Sequence, residues 1–156
     1  MRTIHRDIVG GFIFSRENKV LLGENRKGGV YEGSYVVPGG GVDDGETKEQ
    51  ALAREMLEET GIDISFGEID KINVSTGQAE KTLRDTGERV LVEMVFHDYR
   101  VKLSEDADDV IVKAEDDWCS PRWFAAEELV GEKIGPPTKR TLQKIGFLAN
   151  KLSPLT

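Results

Sequence analysis

Apolar and polar residues fall into blocks along the chain, and the spacing inside each block predicts its backbone. Ile8 to Phe14 and Val20 to Leu22 are β-rich runs on either side of the polar stretch 15–19, which predicts two paired strands joined by a hairpin loop. Residues 23–34 are Gly-rich and charged and read as a loop leading into the short β-branched run Tyr35-Val36-Val37, stopped by Pro38. Gly39-Gly40-Gly41 then reads as a flexible turn. Thr47 with Gln50 three residues on is a capping box, and the helix-forming stretch Glu49 to Glu59 that follows stops at Gly61.

Past that helix, Ile62 to Val74 has apolar spacing that suits strands, residues 76–88 read as a polar loop, and Arg89 to Leu103 as a long half-buried strand or hairpin arm. Val110 to Val112 and Pro121 to Phe124 predict two short strands around the acidic loop Glu115-Asp116-Asp117, followed by one or two helical turns at Ala125 to Leu129. Leu142, Ile145 and Leu148 at helical spacing predict a second amphipathic helix over Thr138 to Leu148. The order of strands, helix, several strands and closing helix predicts an α/β (α+β) chain with a mixed sheet rather than a doubly wound parallel one.

With 156 residues the chain suits a single domain spanning 1–156. Its net charge of −8 argues against coating a nucleic-acid polymer or an anionic membrane. The first fourteen residues lack the apolar region of a secretory signal, and no segment reaches the ~20 apolar residues of a membrane span. The single cysteine, Cys119, suits a packed side chain in a reducing, cytoplasmic setting. A small anionic ligand is still compatible, because bound cations reverse the local field.

On the central helix Glu55, Glu58 and Glu59 stand at i, i+3 and i+4, so their carboxylates share one face. Leu52, Ala53 and Met56 occupy the adjoining arc, which turns the carboxylates along the edge of the core. Three like charges this close repel, and a hard divalent cation bound through oxygen relieves them. A Glu-x-x-Glu-Glu run alone is usually a solvated helix face, so the surrounding residues decide.

Those residues run Gly40, five positions, Glu46, seven positions, Arg54-Glu55, Met56, one position, Glu58-Glu59, one position, Gly61-Ile62. This spacing resembles the signature of the Nudix hydrolases, and it does so without departure from Gly40 to Ile62. The strand-into-loop approach Val36-Val37-Pro38-Gly39-Gly40, and Arg122-Trp123-Phe124 with Glu128-Leu129, are similar to flanking patterns of that family. The resemblance implies an α/β/α sandwich with the mixed sheet between helices, and hydrolysis of a nucleoside diphosphate linked to another group.

It also implies a set of roles. Glu55, Glu58 and Glu59 would hold one to three Mg2+ ions, with Mn2+ as a substitute, and Gly39 and Gly40 would bring backbone close to the metal. Arg54 would pair with Glu46 or Glu58 and fix their rotamers. Glu58 is the favoured base or shared ligand, so Glu55, Glu58, Glu59 and Arg54 form the expected catalytic set. Glu46, Glu115, Asp116 and Asp117 are candidates for an extra base or ligand. Arg26, Lys27, Tyr31 and Tyr35, in or beside the loop before the box, would supply phosphate charge and a flat stacking surface.

No marker of a particular substrate branch follows the box, where the chain has Thr76-Gly77-Gln78. The expected substrate is a nucleoside or deoxynucleoside triphosphate cleaved to the monophosphate and pyrophosphate. A nucleotide sugar, a dinucleoside polyphosphate, or a non-catalytic role as a nucleotide-binding sensor are the alternatives. The expected partner is thus a small-molecule nucleotide, and the chain is expected to be a monomer or a homodimer.

Overall fold

The computed structural model describes residues 1–28 and 31–149. Gly29 and Val30, part of the loop expected over 23–34, lie outside the described residues. Seven strands form one mixed sheet: β1 (Arg2–Phe14), β2 (Val20–Asn25), β3 (Tyr35–Val36), β4 (Gly39–Gly41), β5 (Glu68–Thr82), β6 (Arg89–Lys102) and β7 (Trp118–Phe124). The path runs β3-β2-β1-β6-β5, with β4 on β1 and β7 on β2. The β1–β6 ladder is parallel along its whole length and the others are antiparallel. Helices α1 (Lys48–Thr60) and α2 (Pro136–Lys144) cover opposite faces, which makes the α/β/α sandwich.

Alternation along β1 separates the two layers. Val9 and Ile13 pack beneath Ala51, Leu52 and Met56 of α1, together with Tyr99, Val101 and Trp118. Phe12 and Phe14 point the other way, into a cluster with Val20, Leu22, Phe124 and Leu142 of α2. Only Ala51, Leu52, Met56 and Thr60 of α1 are buried, so Ala53 stays exposed instead of joining the stripe. The capping box at Thr47 and the left-handed Gly61 that ends α1 are both present.

Several expected boundaries move. Gly39-Gly40-Gly41 is a strand rather than a turn, paired with Ile8–Gly10, because a chain without Cβ atoms lies flat against β1. β5 runs on through the expected loop to Thr82, held by its ladder to β6. Val110 to Val112 is not a strand: Ile111 is 90% exposed, and Val110 and Val112 pack under α1 without a ladder. The expected strand Pro121 to Phe124 starts earlier, at Trp118. α2 starts at Pro136 and stops at Lys144, and Ile145, Phe147 and Leu148 reach the core from a turn in which Gly146 is left-handed. Ala126–Leu129 is a single 3-10 turn. No helix among the described residues is long and apolar enough to cross a membrane.

Candidate active site

Pairing of β4 with β1 brings the glycine strand under α1, and the contact is close. A Cβ on Gly40 would sit inside the Glu55 carboxylate, so the glycine leaves that carboxylate its place against the strand. Glu55 therefore lies against the backbone of the glycine strand.

Arg54 organises that row. Its Nε and Nη2 donate to Glu46 Oε2 and Oε1 at 2.7 and 2.9 Å, Nη2 also donates to the Gly41 carbonyl at 2.9 Å, and Nη1 donates to Glu55 Oε1 at 2.9 Å and Glu58 Oε2 at 3.3 Å. Glu46 in turn accepts from the Asp43 amide at 2.8 Å. Hydrogen bonds from Arg54 and this amide hold the Glu46 carboxyl down at about 2. Glu46 is thus a clamp on Arg54, the pairing expected of it, and its oxygens are engaged in that role.

Glu59 is different. Its side chain is only 13% exposed, and burial pushes its carboxyl above the ordinary value against the pull of the Lys27 ammonium. Oε2 is buried with no hydrogen-bond partner. Oε1 accepts from Lys27 Nζ at 3.4 Å, and the same ammonium donates to the Gly39 carbonyl at 3.3 Å. A monovalent cation thus ties together a buried carboxylate and a backbone carbonyl beside an orphaned oxygen. That all-oxygen donor set fits a hard divalent cation. Among the described residues no three acidic side chains already converge on one point: Glu55 and Glu58 are turned to Arg54, and Glu58 is 60% exposed. The carbonyl beside Glu59 is that of Gly39, while Gly40 supplies the close approach to Glu55.

A cleft of about 930 Å³ opens from this point across the sheet toward α2. Lys27 and Tyr31 line it, as do Gly39, Gly40 and Gly41. Two other residues expected at the substrate do not. Tyr35 packs edge-on against Phe124 at 5.0 Å between ring centres, and Arg26 turns toward Cys119 and Glu24, which raise its pKa. The segment with Glu115, Asp116 and Asp117 skirts the far end of α1: Lys113 N donates to Thr60 O at 3.0 Å and Arg26 N to Asp117 O at 2.8 Å. Glu115 there pairs with Lys113 at 3.1 Å.

The sequence reading missed the cleft's other end, where Asp98, Asn73, Thr141 and Lys144 line it. One signal was available. Val90, Val92, Met94 and Phe96 occupy every second position of β6 and so share one face, and Asp98 puts a charge at the next position on that face.

The NUDIX domain matches this chain over residues 4–145. Nucleoside triphosphatase NudI of Escherichia coli O81 (strain ED1a) is 32% identical over 120 residues, which cover 77% of this chain and 82% of that protein. Among solved structures, the NUDIX domain of Shewanella oneidensis NrtR complexed with ADP ribose superposes with a TM-score of 0.66 at 17% identity, covering 91% of this chain and 86% of that one. The E. coli dihydroneopterin triphosphate pyrophosphohydrolase gives a TM-score of 0.66 at 16% identity over 88% of this chain and 92% of that one. These two likenesses are of fold.

Proposed function

This chain belongs to the Nudix family of hydrolases of pyrophosphate bonds, and on that premise we propose that it is a divalent-metal-dependent nucleoside triphosphate pyrophosphohydrolase. The products are the nucleoside monophosphate and pyrophosphate. The observation that carries this reading is the buried, unpartnered Glu59 Oε2 beside a carbonyl and carboxylate already bridged by an ammonium. Likeness to a nucleoside triphosphatase supports the substrate class.

Glu59, Glu55 and Glu58, with backbone at Gly39 and Gly40, would hold the ions, Mg2+ first and Mn2+ as substitute. When bound, the metal neutralises phosphoryl oxygens and acidifies a water. Arg54 keeps Glu55 and Glu58 in place through Nη1, and Glu46 keeps Arg54 in place. Glu58 is the most exposed of the three carboxylates, and with Oε2 held by Arg54 its Oε1 takes the proton of the attacking water. The water oxygen bonds to phosphorus, the bridging P–O bond breaks, and its electrons leave on pyrophosphate. Lys27 lines the cleft, where its ammonium would meet the charge of the polyphosphate.

The test is a panel of nucleoside triphosphates, nucleotide sugars and dinucleoside polyphosphates assayed with Mg2+ and with excess chelator, in ¹⁸O-water. Metal-dependent release of pyrophosphate, with label on a phosphorus product, is expected. Full turnover in chelator, label on an anomeric carbon, or higher kcat/KM for a nucleotide sugar or dinucleotide than for every triphosphate would each overturn the reading.

A further inference from the structure

The cleft runs on from Lys27 and Gly39 to a polar end that the hydrolytic step does not use. Met94, Phe96 and Asp98 occupy alternate positions on β6 and line it, two apolar walls and then a carboxylate. Asp98 pairs in register with Gly10 of β1, and Gly10 with Gly39 of β4. Neighbouring strands lie about 4.8 Å apart, so two steps separate the Asp98 and Gly39 backbones by about 10 Å. That is the reach of a nucleoside from its first phosphate to the far edge of its base.

Asp98 is held there by a built network. A bulge between Lys71 and Asn73 of β5 sets Asn73 opposite Asp98. Asp98 Oδ2 accepts from Thr141 Oγ1 at 2.9 Å and from Asn73 Nδ2 at 3.4 Å, and Lys144 Nζ donates to Asn73 Oδ1 at 2.8 Å. Both donors are spent on the same oxygen. Oδ1 takes neither bond, and a Cβ on Gly10 would lie 3.3 Å from it, so the missing side chain keeps that oxygen open to the cleft. Burial pushes the Asp98 carboxyl above its ordinary value against these hydrogen bonds and the charge of Lys144, a standing cost that a ligand's donors offset.

We propose that Asp98 is the base-reading residue: its open Oδ1 accepts the adjacent ring N–H and exocyclic amino group of a 2-amino-4-oxopyrimidine ring, as in guanine or a pterin. This deepens the nucleotide-hydrolase reading and rests on it for the phosphate end. An oxygen with two free lone-pair directions suits two adjacent donors. Phe96 gives the ring a flat wall, and Lys144 or Arg140 on α2 meets its carbonyl. Xanthine, uracil and thymine put a carbonyl at the position of the amino group, oxygen against oxygen. Adenine and cytosine put a bare ring nitrogen beside their amino group, which again faces a lone pair with a lone pair.

The test is calorimetric binding of product monophosphates to the whole chain, so that it reads recognition without turnover. GMP or neopterin monophosphate should bind at least ~10-fold more tightly than XMP, AMP or UMP. The guanine and pterin arms tell the two sources apart. In Asp98→Asn, Thr141 and Asn73 keep the amide oxygen, so the amide nitrogen faces the cleft and donates. The order should invert in favour of XMP. Gly10→Ala, which sets a methyl against Oδ1 while leaving Asp98 a carboxylate, should abolish the preference. Equal binding of GMP, neopterin monophosphate and XMP to the unaltered protein, or an order unchanged by both variants, would overturn the proposal. Either result beside normal pyrophosphate release leaves the hydrolase reading standing. A clear preference in a protein that cleaves no triphosphate sinks that reading alone.

Discussion

Arg54 and Glu46 meet in a bidentate pair, Nε to Oε2 at 2.7 Å and Nη2 to Oε1 at 2.9 Å, across the turn that leads into α1. The pair joins the start of the signature to its middle. It leaves only Nη1 of the guanidinium for the two carboxylates, Glu55 and Glu58, that follow on the helix.

Glu46→Gln tests the clamp. An amide offers one acceptor oxygen where the carboxylate offers two, so Arg54 loses the geometry that aims Nη1. We expect kcat to fall by about 10-fold with little change in KM, as for a group that positions others. The pH dependence has a definite sign. Glu46 titrates near 2 in the folded chain against 4.5 for a free glutamate, so its contribution to stability is present above about 4.5 and is lost as pH falls toward 2. Melting temperature against pH should fall less steeply across that window in the variant than in the unaltered chain.

Lys27 and Arg26 are neighbours in sequence with opposite placements. Lys27 lies in the cleft between Glu59 and Gly39, whereas Arg26 is turned to Glu24 with its amide on Asp117. Lys27→Met should raise KM for a triphosphate by about 10-fold with a smaller change in kcat, since a phosphate contact serves ground and transition states alike. The same variant should bind Mn2+ more tightly without substrate, because no ammonium competes for Glu59. Arg26→Ala should leave both constants within about 2-fold. Equal effects of the two substitutions would show that the loop does not hold the nucleotide in this way.

The signature was legible because it is local. Gly40 to Ile62 lies on one strand, one turn and one helix, so spacing alone places Arg54, Glu55, Glu58 and Glu59 together. What was not legible depends on register between distant segments. Gly39-Gly40-Gly41 has no side chains to alternate, and only its ladder to β1 makes it a strand. The outer half of β5 is exposed, so no hydrophobic period marks it, and residues 76–82 read as loop. Asp98, Gly10 and Gly39 come into one row only through two ladders, one parallel and one antiparallel, that no local pattern announces.

Glu58 is the residue on which the assignment of the base depends. It is the most exposed carboxylate of the helix face and makes no core contact, so Glu58→Gln should fold as the unaltered chain does. Turnover should fall by about 10²-fold or more, from loss of a proton acceptor or a metal ligand. Near-normal turnover would move the base to the acidic segment of Glu115, Asp116 and Asp117. Pairing each of these with Gln or Asn in the Glu58 variant would then locate it.

Glu59 carries the metal reading in a way that stability can report without any assay of turnover. Its carboxylate is buried, Oε2 has no partner, and its pKa is raised. A raised value means that the folded chain favours the protonated form, so ionised Glu59 works against folding once pH exceeds the ordinary carboxylate range. In chelator at pH 8, Glu59→Gln removes a buried charge at the expense of one weak contact with Lys27. Its melting temperature should equal or exceed that of the unaltered chain. Adding Mg2+ or Mn2+ should raise the melting temperature of the unaltered chain, because a cation that binds only the folded state stabilises it by mass action. The variant should gain much less. An equal gain in both proteins would place the metal away from Glu59, whatever the effect of the substitution on activity.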